Sequence, residues 1–188
     1  MNKLSQIPLI SSEMLQLYSD IARSVGTDKL FPYVTLAQPF YIEPVLGSPL
    51  TAELTLQISN GNITQPNQAL LLKIAPVLAL YTQYLGIRGL AYSIVEKGLV
   101  KLKSENSEPL SDKELAQFIF STKENAEMAK ELLIKYLCEC QDQYPLWRPE
   151  NDCGCDKYIK KPDEGSTSVD METHIYFPKK SKNSCGCK

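Results

Sequence analysis

Residues 36–61, LAQPFYIEPVLGSPLTAELTLQISNG, contain the clearest folding signals in the chain. The first half is apolar and interrupted by prolines, and the second half predicts a helix of about three turns. Ser48 is placed to accept a hydrogen bond from a free amide of the first turn, and Pro49 lies where no amide donor is needed. Gly61 suits a left-handed cap after Asn60. The stretch has no nucleophile with a base, no phosphate loop and no histidine, so we expect the chain to act through its surfaces.

Upstream of this helix, apolar residues at helical spacing predict two further elements. The first is a helix over 9–25, and the second runs from Asp28 towards residue 46. Pro39 and Pro44 each remove an amide donor from the second element, so we expect them to bend or break it.

Downstream, two long helices are predicted, with a short hairpin between them. The helix from Gln65 to about Tyr92 is apolar on more than one side, which indicates a central position in the packing. Residues 93–104, SIVEKGLVKLKS, alternate apolar with charged or polar side chains and predict a two-stranded hairpin. Ser111 and Glu114 have capping-box spacing before a helix over 112–141. The predicted buried stripe of that helix consists of Leu115, Phe118, Ile119, Ala126, Ala129, Leu132, Leu133, Tyr136 and Leu137.

The composition changes after residue 144 and predicts two regions. Residues 1–144 form a mainly α-helical domain with the hairpin at about 93–104. Residues 145–188 contain prolines, glycines and cysteines among many polar residues, which predicts an extended C-terminal tail that is largely disordered when free.

The overall composition favours some classes of protein over others. With 43% hydrophobic residues, the chain of 188 residues can bury a core. The 20 basic and 22 acidic residues give a net charge of −2, which is not the charge pattern of a protein that grips nucleic acid by its phosphates. The N-terminus lacks the apolar run of a signal peptide, so we expect a protein made in a cytosol and not inserted in a membrane.

The order of motifs resembles the head-to-tail connector proteins (head completion or adaptor proteins) of tailed bacteriophages, in the form found in crAss-like phages. The resemblance covers roughly residues 9–140. The matching motifs, in chain order, are LISSEMLQLYSDI, AQPFYIEPVLGSPLTAEL, ISNGNIT, KGLVKLKSENSEPLSDKEL and KYLCE.

This resemblance implies a small antiparallel helical bundle that works as a structural virion protein. Such proteins assemble as a ring, typically of twelve copies, below the portal protein, and further tail or ring proteins follow. The ring extends the channel through which DNA passes without sequence-specific binding. The resemblance transfers no catalytic residue, so we expect no enzyme. In related connectors a terminal extension runs along the neighbouring portal protein and binds it. This suggests a docking role for residues 145–188 at the head-tail interface.

The six cysteines form three C-x-C pairs, at 138 and 140, 153 and 155, and 185 and 187. Four converging thiolates would suit a structural zinc ion, most simply from Cys153, Cys155, Cys185 and Cys187. Free thiols in a cytosol and disulfides formed after release into an oxidising medium are the alternatives. The zinc site would support a rival function, a zinc-stapled regulatory or nucleic-acid-binding module. No other cofactor is expected.

Four further side chains are candidates for contacts with DNA or with other chains. Lys97, Lys101 and Lys103 on the hairpin could face the channel lumen or a neighbouring subunit, or simply form a solvated polar face. Trp147 lies between two prolines just after the long helix and is a candidate partner anchor, although burial against its own bundle is equally consistent.

Overall fold

The computed structural model describes residues 7–95, 98–101, 111–149 and Cys155. The described chain is mainly helical, as the sequence predicts. Within these residues, six α-helices, one π-helix, two short strands and one 3-10 turn follow one another in chain order. They are α1 (Ser12–Leu17), α2 (Thr27–Ala37), the π-helix (Gln38–Ile42), α3 (Glu43–Leu46), α4 (Ser48–Asn60), α5 (Gln65–Ala91), β1 (Tyr92–Val95), β2 (Gly98–Lys101), α6 (Asp112–Glu139) and the 3-10 turn (Gln141–Gln143).

Helix α5 is the centre of the bundle. It packs against α6, α2, α1 and the π-helix. By length and composition its stretch Gln65–Ile87 could cross a membrane, but 56% of the apolar 18-residue window in that stretch is buried inside the bundle, as in a core helix. The α5 side chains that are fully buried include Leu70, Ile74, Val77, Leu78 and Tyr81.

The corner between α2 and α4 departs from regular α-helix where the prolines predicted an interruption. Pro39 lies in the π-helix and Pro44 in α3, and neither can donate a backbone hydrogen bond. Gly47, at φ +79°, then precedes α4 in a backbone conformation that favours glycine. The predicted Ser48 cap is wrong, because its hydroxyl donates instead to the Glu43 carboxylate at 3.1 Å. The left-handed Gly61 at the other end, at φ +68°, is confirmed.

The first helix is much shorter than predicted, since α1 ends at Leu17. Beyond it, the backbone N–H of Asp20 donates to the Gln83 side-chain oxygen at 3.0 Å, and the Gln83 amide donates to the Asp20 carboxylate at 3.0 Å. If α1 continued, the Asp20 N–H would donate to a backbone carbonyl of the preceding turn. Here it donates to Gln83 of α5 instead, so the helix does not continue. Leu17 remains 68% exposed.

Helix α6 begins with the predicted capping box. The Ser111 hydroxyl accepts from the Glu114 N–H, and the Glu114 carboxylate accepts from the Ser111 N–H at 2.9 Å. The prediction that Phe118 and Leu132 belong to the buried stripe is wrong, because these side chains are 37% and 67% exposed. The fully buried apolar positions of the stripe are Ala126, Leu133 and Leu137.

The strands β1 and β2 pair antiparallel directly after α5. In their register Tyr92 lies opposite Lys101 and Val95 lies opposite Gly98. Residues 96–97, which join them, and the last residues of the predicted hairpin, 102–104, lie outside the described residues.

Candidate functional site

The outer side of α6 carries three large apolar side chains that no other part of the described chain covers. Phe120, Met128 and Leu132 are 62%, 60% and 67% exposed. Their spacing of eight and four residues places them within one half of the helix circumference. We call these three residues the α6 surface. Because α6 buries its opposite side against α5, the helix has one apolar side in the core and apolar residues on the other.

A second exposed apolar stripe runs along α2 into the π-helix. Pro32, Leu36 and Phe40 follow one another at intervals of four residues, and this spacing brings helical side chains onto one face. Leu36 is 45% exposed and Phe40 is 60% exposed. We call these three residues the α2 surface. It belongs to a different helix from the α6 surface, and both helices are fixed to α5.

An aromatic and charged cluster joins the π-helix, α5 and α6. The rings of Tyr41 and Tyr81 stack with centroids 3.8 Å apart and planes within 3°. Burial, together with the neighbouring Glu127, raises the pKa of Tyr81 far above its ordinary value. The Tyr81 hydroxyl is buried near that carboxylate but outside hydrogen-bond geometry. The ring stack joins the π-helix to α5, and the Glu127 carboxylate of α6 lies near its Tyr81 member.

Glu127 is the charged member of this cluster. Partial burial by itself raises the pKa of its carboxyl. The hydrogen bond that the carboxylate accepts from Lys130, together with the proximity of the Tyr81 hydroxyl, outweighs burial and lowers the pKa below its usual value. Glu127 therefore stays ionised at neutral pH and is not suited to act as a general acid.

The segment after α6 folds back onto the bundle. Trp147 is 4% exposed, and its indole Nε1 donates to the carbonyl oxygen of Val45 at 2.8 Å. The N–H of Arg148 donates to the carbonyl oxygen of Leu46 at 3.3 Å. A Cβ on Gly47 would collide with the carbonyl of Arg148, so the close approach of the two segments needs glycine there.

Two tyrosines fix the start of the same segment. The Tyr144 hydroxyl donates to the carbonyl oxygen of Pro66 at 2.8 Å. Because this bond uses the Tyr144 proton, the Tyr136 hydroxyl is the donor in the second bond, between the two hydroxyls, at 2.9 Å. Tyr144 is 2% exposed. Together with Trp147, it extends the contacts of the bundle past residue 144, where the sequence predicted the tail to begin.

The structure places Trp147 in its own bundle, which is one of the two alternatives that the sequence left open. Its ring is buried in its own bundle, and its one polar atom is satisfied within the chain. For Trp147 to anchor a partner, it would have to leave this site and expose the Val45 carbonyl.

The structure joins Cys138 and Cys155 in a disulfide, with Cα atoms 5.5 Å apart. Cys140, the other residue of the first pair, is buried. Of the predicted zinc ligands, Cys153, Cys185 and Cys187 lie outside the described residues, and the sulfur of Cys155 is bonded to Cys138. A zinc site that uses Cys155 would first require reduction of this bond. Within the part of the chain that the structure describes, no three His, Cys, Asp or Glu side chains are grouped to hold a metal ion.

The predicted lysine contacts fall at the limit of what the structure describes. Lys101 ends strand β2, where it pairs with Tyr92. Lys97 and Lys103 lie outside the described residues.

The comparison with protein families matches residues 42–157 to a family of unknown function, DUF6712. The match spans well over half of the chain. The chain belongs to the DUF6712 family. No curated protein and no solved structure matched. In this DUF6712 protein the matched range begins at the end of the π-helix and includes Gly47, Trp147 and both cysteines of the disulfide.

Sequence reasoning did not find the contacts that hold the end of this DUF6712 domain. The disulfide joins one cysteine of the first C-x-C pair, Cys138, to one of the second, Cys155. The spacing of the cysteines alone does not predict this pairing. The glycine before Ser48-Pro49 was a usable signal, because a positive φ or a close backbone approach is a common reason for glycine at such a corner. Nothing in the local sequence linked it to Arg148.

Proposed function

We propose that this protein is a structural virion protein that forms a ring below the portal of a tailed bacteriophage. The ring extends the DNA channel and joins the head to the tail. The observation that carries the proposal is the presence of two exposed apolar surfaces, the α6 surface and the α2 surface, on two different helices of one bundle. The motif order, which resembles phage connectors, supplies the identity of the assembly.

Two different apolar surfaces on one subunit suit a ring. In a heterologous contact one patch meets a different patch on the next copy, and such contacts close into a ring when the rotation between copies allows it. In the proposal, the α6 surface of one copy packs on the α2 surface of its neighbour. Burying Leu36, Phe40, Met128 and Leu132 removes apolar area from water, which favours association by about 25 cal/mol per Å² before the cost of ordering.

The charge of the chain is compatible with a conduit for DNA. A net charge of −2 with mixed signs limits phosphate contacts, each of which would add affinity and slow the passage of DNA. In the proposal, the hairpin that includes Lys101 reaches the lumen or a neighbouring subunit. The extended C-terminal tail docks on the portal or an adjoining ring. The protein is made in the host cytoplasm and incorporated into the virion.

The tail role is tested by truncation, and the structure determines where the truncation should begin. Removal of 145–188 would also remove Trp147 from the core, so loss of attachment could reflect unfolding. Removal of 158–188 keeps Trp147 and Cys155 and should leave a folded bundle. We expect this shorter chain to keep its thermal transition and to lose attachment to a portal from the same source. Undiminished attachment by the truncated chain would contradict the docking role.

The surfaces are tested by charge substitution. Leu132→Glu and Leu36→Glu each place a carboxylate in one proposed contact without touching the core, and Leu56→Glu, at a 50% exposed position on α4, is the matched control. We expect both surface variants to fold and to lose multi-copy assembly on the portal, while the control assembles. Assembly of both surface variants at the level of the control would overturn the proposed interface.

A further inference from the structure

The disulfide between Cys138 and Cys155 joins two sulfurs with different access to solvent. Cys138 lies on α6 in the core and is 3% exposed. Cys155 packs at the margin of the same core and is only partly buried. A soluble thiol or disulfide can therefore reach Cys155 more readily than Cys138.

The chain before Cys155 is held in place by contacts that do not involve a cysteine. Tyr144 bonds to Pro66, Trp147 bonds to Val45, and the Arg148 N–H bonds to Leu46. None of these three bonds uses a sulfur atom, so opening the disulfide removes none of them directly. We therefore expect them to hold the chain as far as Arg148 in both states of the sulfurs.

Only six residues, 149–154, separate Arg148 from Cys155. With the disulfide open, these residues let Cys155 lie as far as about 25 Å from Arg148, at roughly 3.5 Å per residue. With it closed, the Cα of Cys155 is 5.5 Å from that of Cys138. The bond therefore determines where all following residues leave the bundle.

We infer that the Cys138–Cys155 pair is a redox-controlled clip that sets the exit point of the C-terminal segment. The clip is open in a reducing medium, where the segment leaves from Arg148. It is closed in an oxidising medium, where the segment leaves from the end of α6. This inference concerns the chain itself and does not depend on the proposed ring.

Closure proceeds by exchange with a low-molecular-mass disulfide such as oxidised glutathione. The thiolate of Cys155 attacks one sulfur of that disulfide, which forms a mixed disulfide and releases the first thiolate. The thiolate of Cys138 then attacks the Cys155 sulfur and releases the second. The two protons of the cysteine thiols pass to the two released thiolates. The protein loses two electrons, and the small disulfide is reduced to two thiols.

The first measurement compares closure in the folded and unfolded full chain. The chain is equilibrated in mixtures of reduced and oxidised glutathione, with and without urea, then alkylated, and the cysteine peptides are identified by mass. Because the folded bundle fixes the chain as far as Arg148, Cys155 has a higher effective concentration at Cys138 than in the unfolded chain. We therefore expect half-closure of Cys138–Cys155 at roughly tenfold less oxidised glutathione without urea. The inference would be overturned if half-closure needed the same amount of oxidised glutathione with and without urea, or if Cys138 paired with a different cysteine.

The second measurement follows the exit point itself by trypsin cleavage after Lys157. We expect cleavage to be about fivefold slower in the oxidised wild-type chain than in the reduced one, because closure restrains the adjacent backbone. Cys155→Ser should be cleaved at one rate in both media, and the matched control Cys140→Ala should behave as the wild type. Redox-independent cleavage of the wild type would contradict the clip. So would a reduced chain that holds one zinc ion and protects Cys155 from alkylation, since the pair would then belong to a metal site.

Discussion

The indole Nε1 of Trp147 donates to the carbonyl oxygen of Val45, 102 residues earlier in the chain, at 2.8 Å. This contact ties the end of the folded region to the corner that precedes α4. The neighbouring bond from Arg148 to Leu46 continues the same attachment. The segment after α6 is therefore part of the bundle, and it gives whatever follows a fixed starting point.

Trp147→Phe should lower the free energy of unfolding by about 1–3 kcal/mol, because the buried Val45 carbonyl loses its donor while most of the packing is kept. Trp147→Ala should cost about 3–5 kcal/mol, since it also leaves a cavity. Urea unfolding followed by circular dichroism measures both changes. Leu146→Ala, at a 42% exposed neighbouring position, is the control and should cost less than about 1 kcal/mol. A Phe variant as stable as the wild type would show that the hydrogen bond contributes nothing.

Gly47→Ala and Gly61→Ala separate backbone strain from the close approach of two segments. Both glycines have positive φ, at +79° and +68°, but only a Cβ at Gly47 would meet the Arg148 carbonyl. We expect Gly61→Ala to cost about 1 kcal/mol from its φ alone. Gly47→Ala should cost roughly 2 kcal/mol more, because Arg148 has to move. The difference between the two unfolding free energies is the informative quantity, and equal values would mean that the segment yields without cost.

Tyr81→Phe should change the response to alkali more than the stability at neutral pH. Burial raises the pKa of Tyr81 above the value of 10.0 that it has in an unfolded chain, so above pH 10 the unfolded chain loses a proton that the folded chain keeps. The stability that this group contributes is complete below pH 10 and declines as the pH rises further. The Phe variant removes this decline. At pH 7 its stability should lie within about 1 kcal/mol of the wild type, because the hydroxyl is not in hydrogen-bond geometry.

Urea titrations of the wild type and of Tyr81→Phe, at pH 7 and above pH 10, give the free energies of unfolding to be compared. An alkaline loss of stability that is the same with Phe as with Tyr would contradict the assignment to Tyr81.

Reduction of the Cys138–Cys155 bond should destabilise the bundle without unfolding it. The bond closes a loop with a sequence separation of 17, for which the chain-entropy account gives about 3 kcal/mol. Urea unfolding with and without a reductant measures this difference in the wild type. The free energy of unfolding of Cys155→Ser should equal that of the reduced wild type, and it should not change when the reductant is added. A reductant effect of similar size in the Ser variant would place the relevant bond elsewhere.

Mixing the two surface variants tests whether the contact between copies is heterologous. Leu36→Glu keeps an intact α6 surface and Leu132→Glu keeps an intact α2 surface. A mixture therefore allows one productive contact per pair of chains, and two-chain complexes should form where neither variant alone associates. Cross-linking at equal concentrations, with mass analysis of the products, counts the chains. Complexes of more than two chains, or none in the mixture at concentrations where the wild type associates, would contradict a contact between these two surfaces.

The sequence predicted the parts of the fold that local chemistry controls. The capping box of Ser111 and Glu114, the left-handed Gly61 and the central position of α5 each follow from a few neighbouring residues or from one apolar pattern. The chain is mainly helical for the same reason. These features need no knowledge of what packs against them.

The sequence failed where a distant residue decides the outcome. Gln83 binds Asp20 and ends the first helical region early, and this competition between elements has no local signal. Leu132 fits an apolar stripe by spacing but lies on the outer side of α6, because periodicity alone does not set the width of the buried face. The pairing of Cys138 with Cys155 likewise depends on how Trp147 and Arg148 return the chain to the bundle.

The measurement that tests the central claim most directly is the native mass of the purified protein, alone and mixed with a portal protein from the same source. The account predicts a complex on the portal that contains many copies of the chain, twelve in the form that the connector resemblance implies. A monomer or dimer whose mass does not change when the portal is added would contradict it.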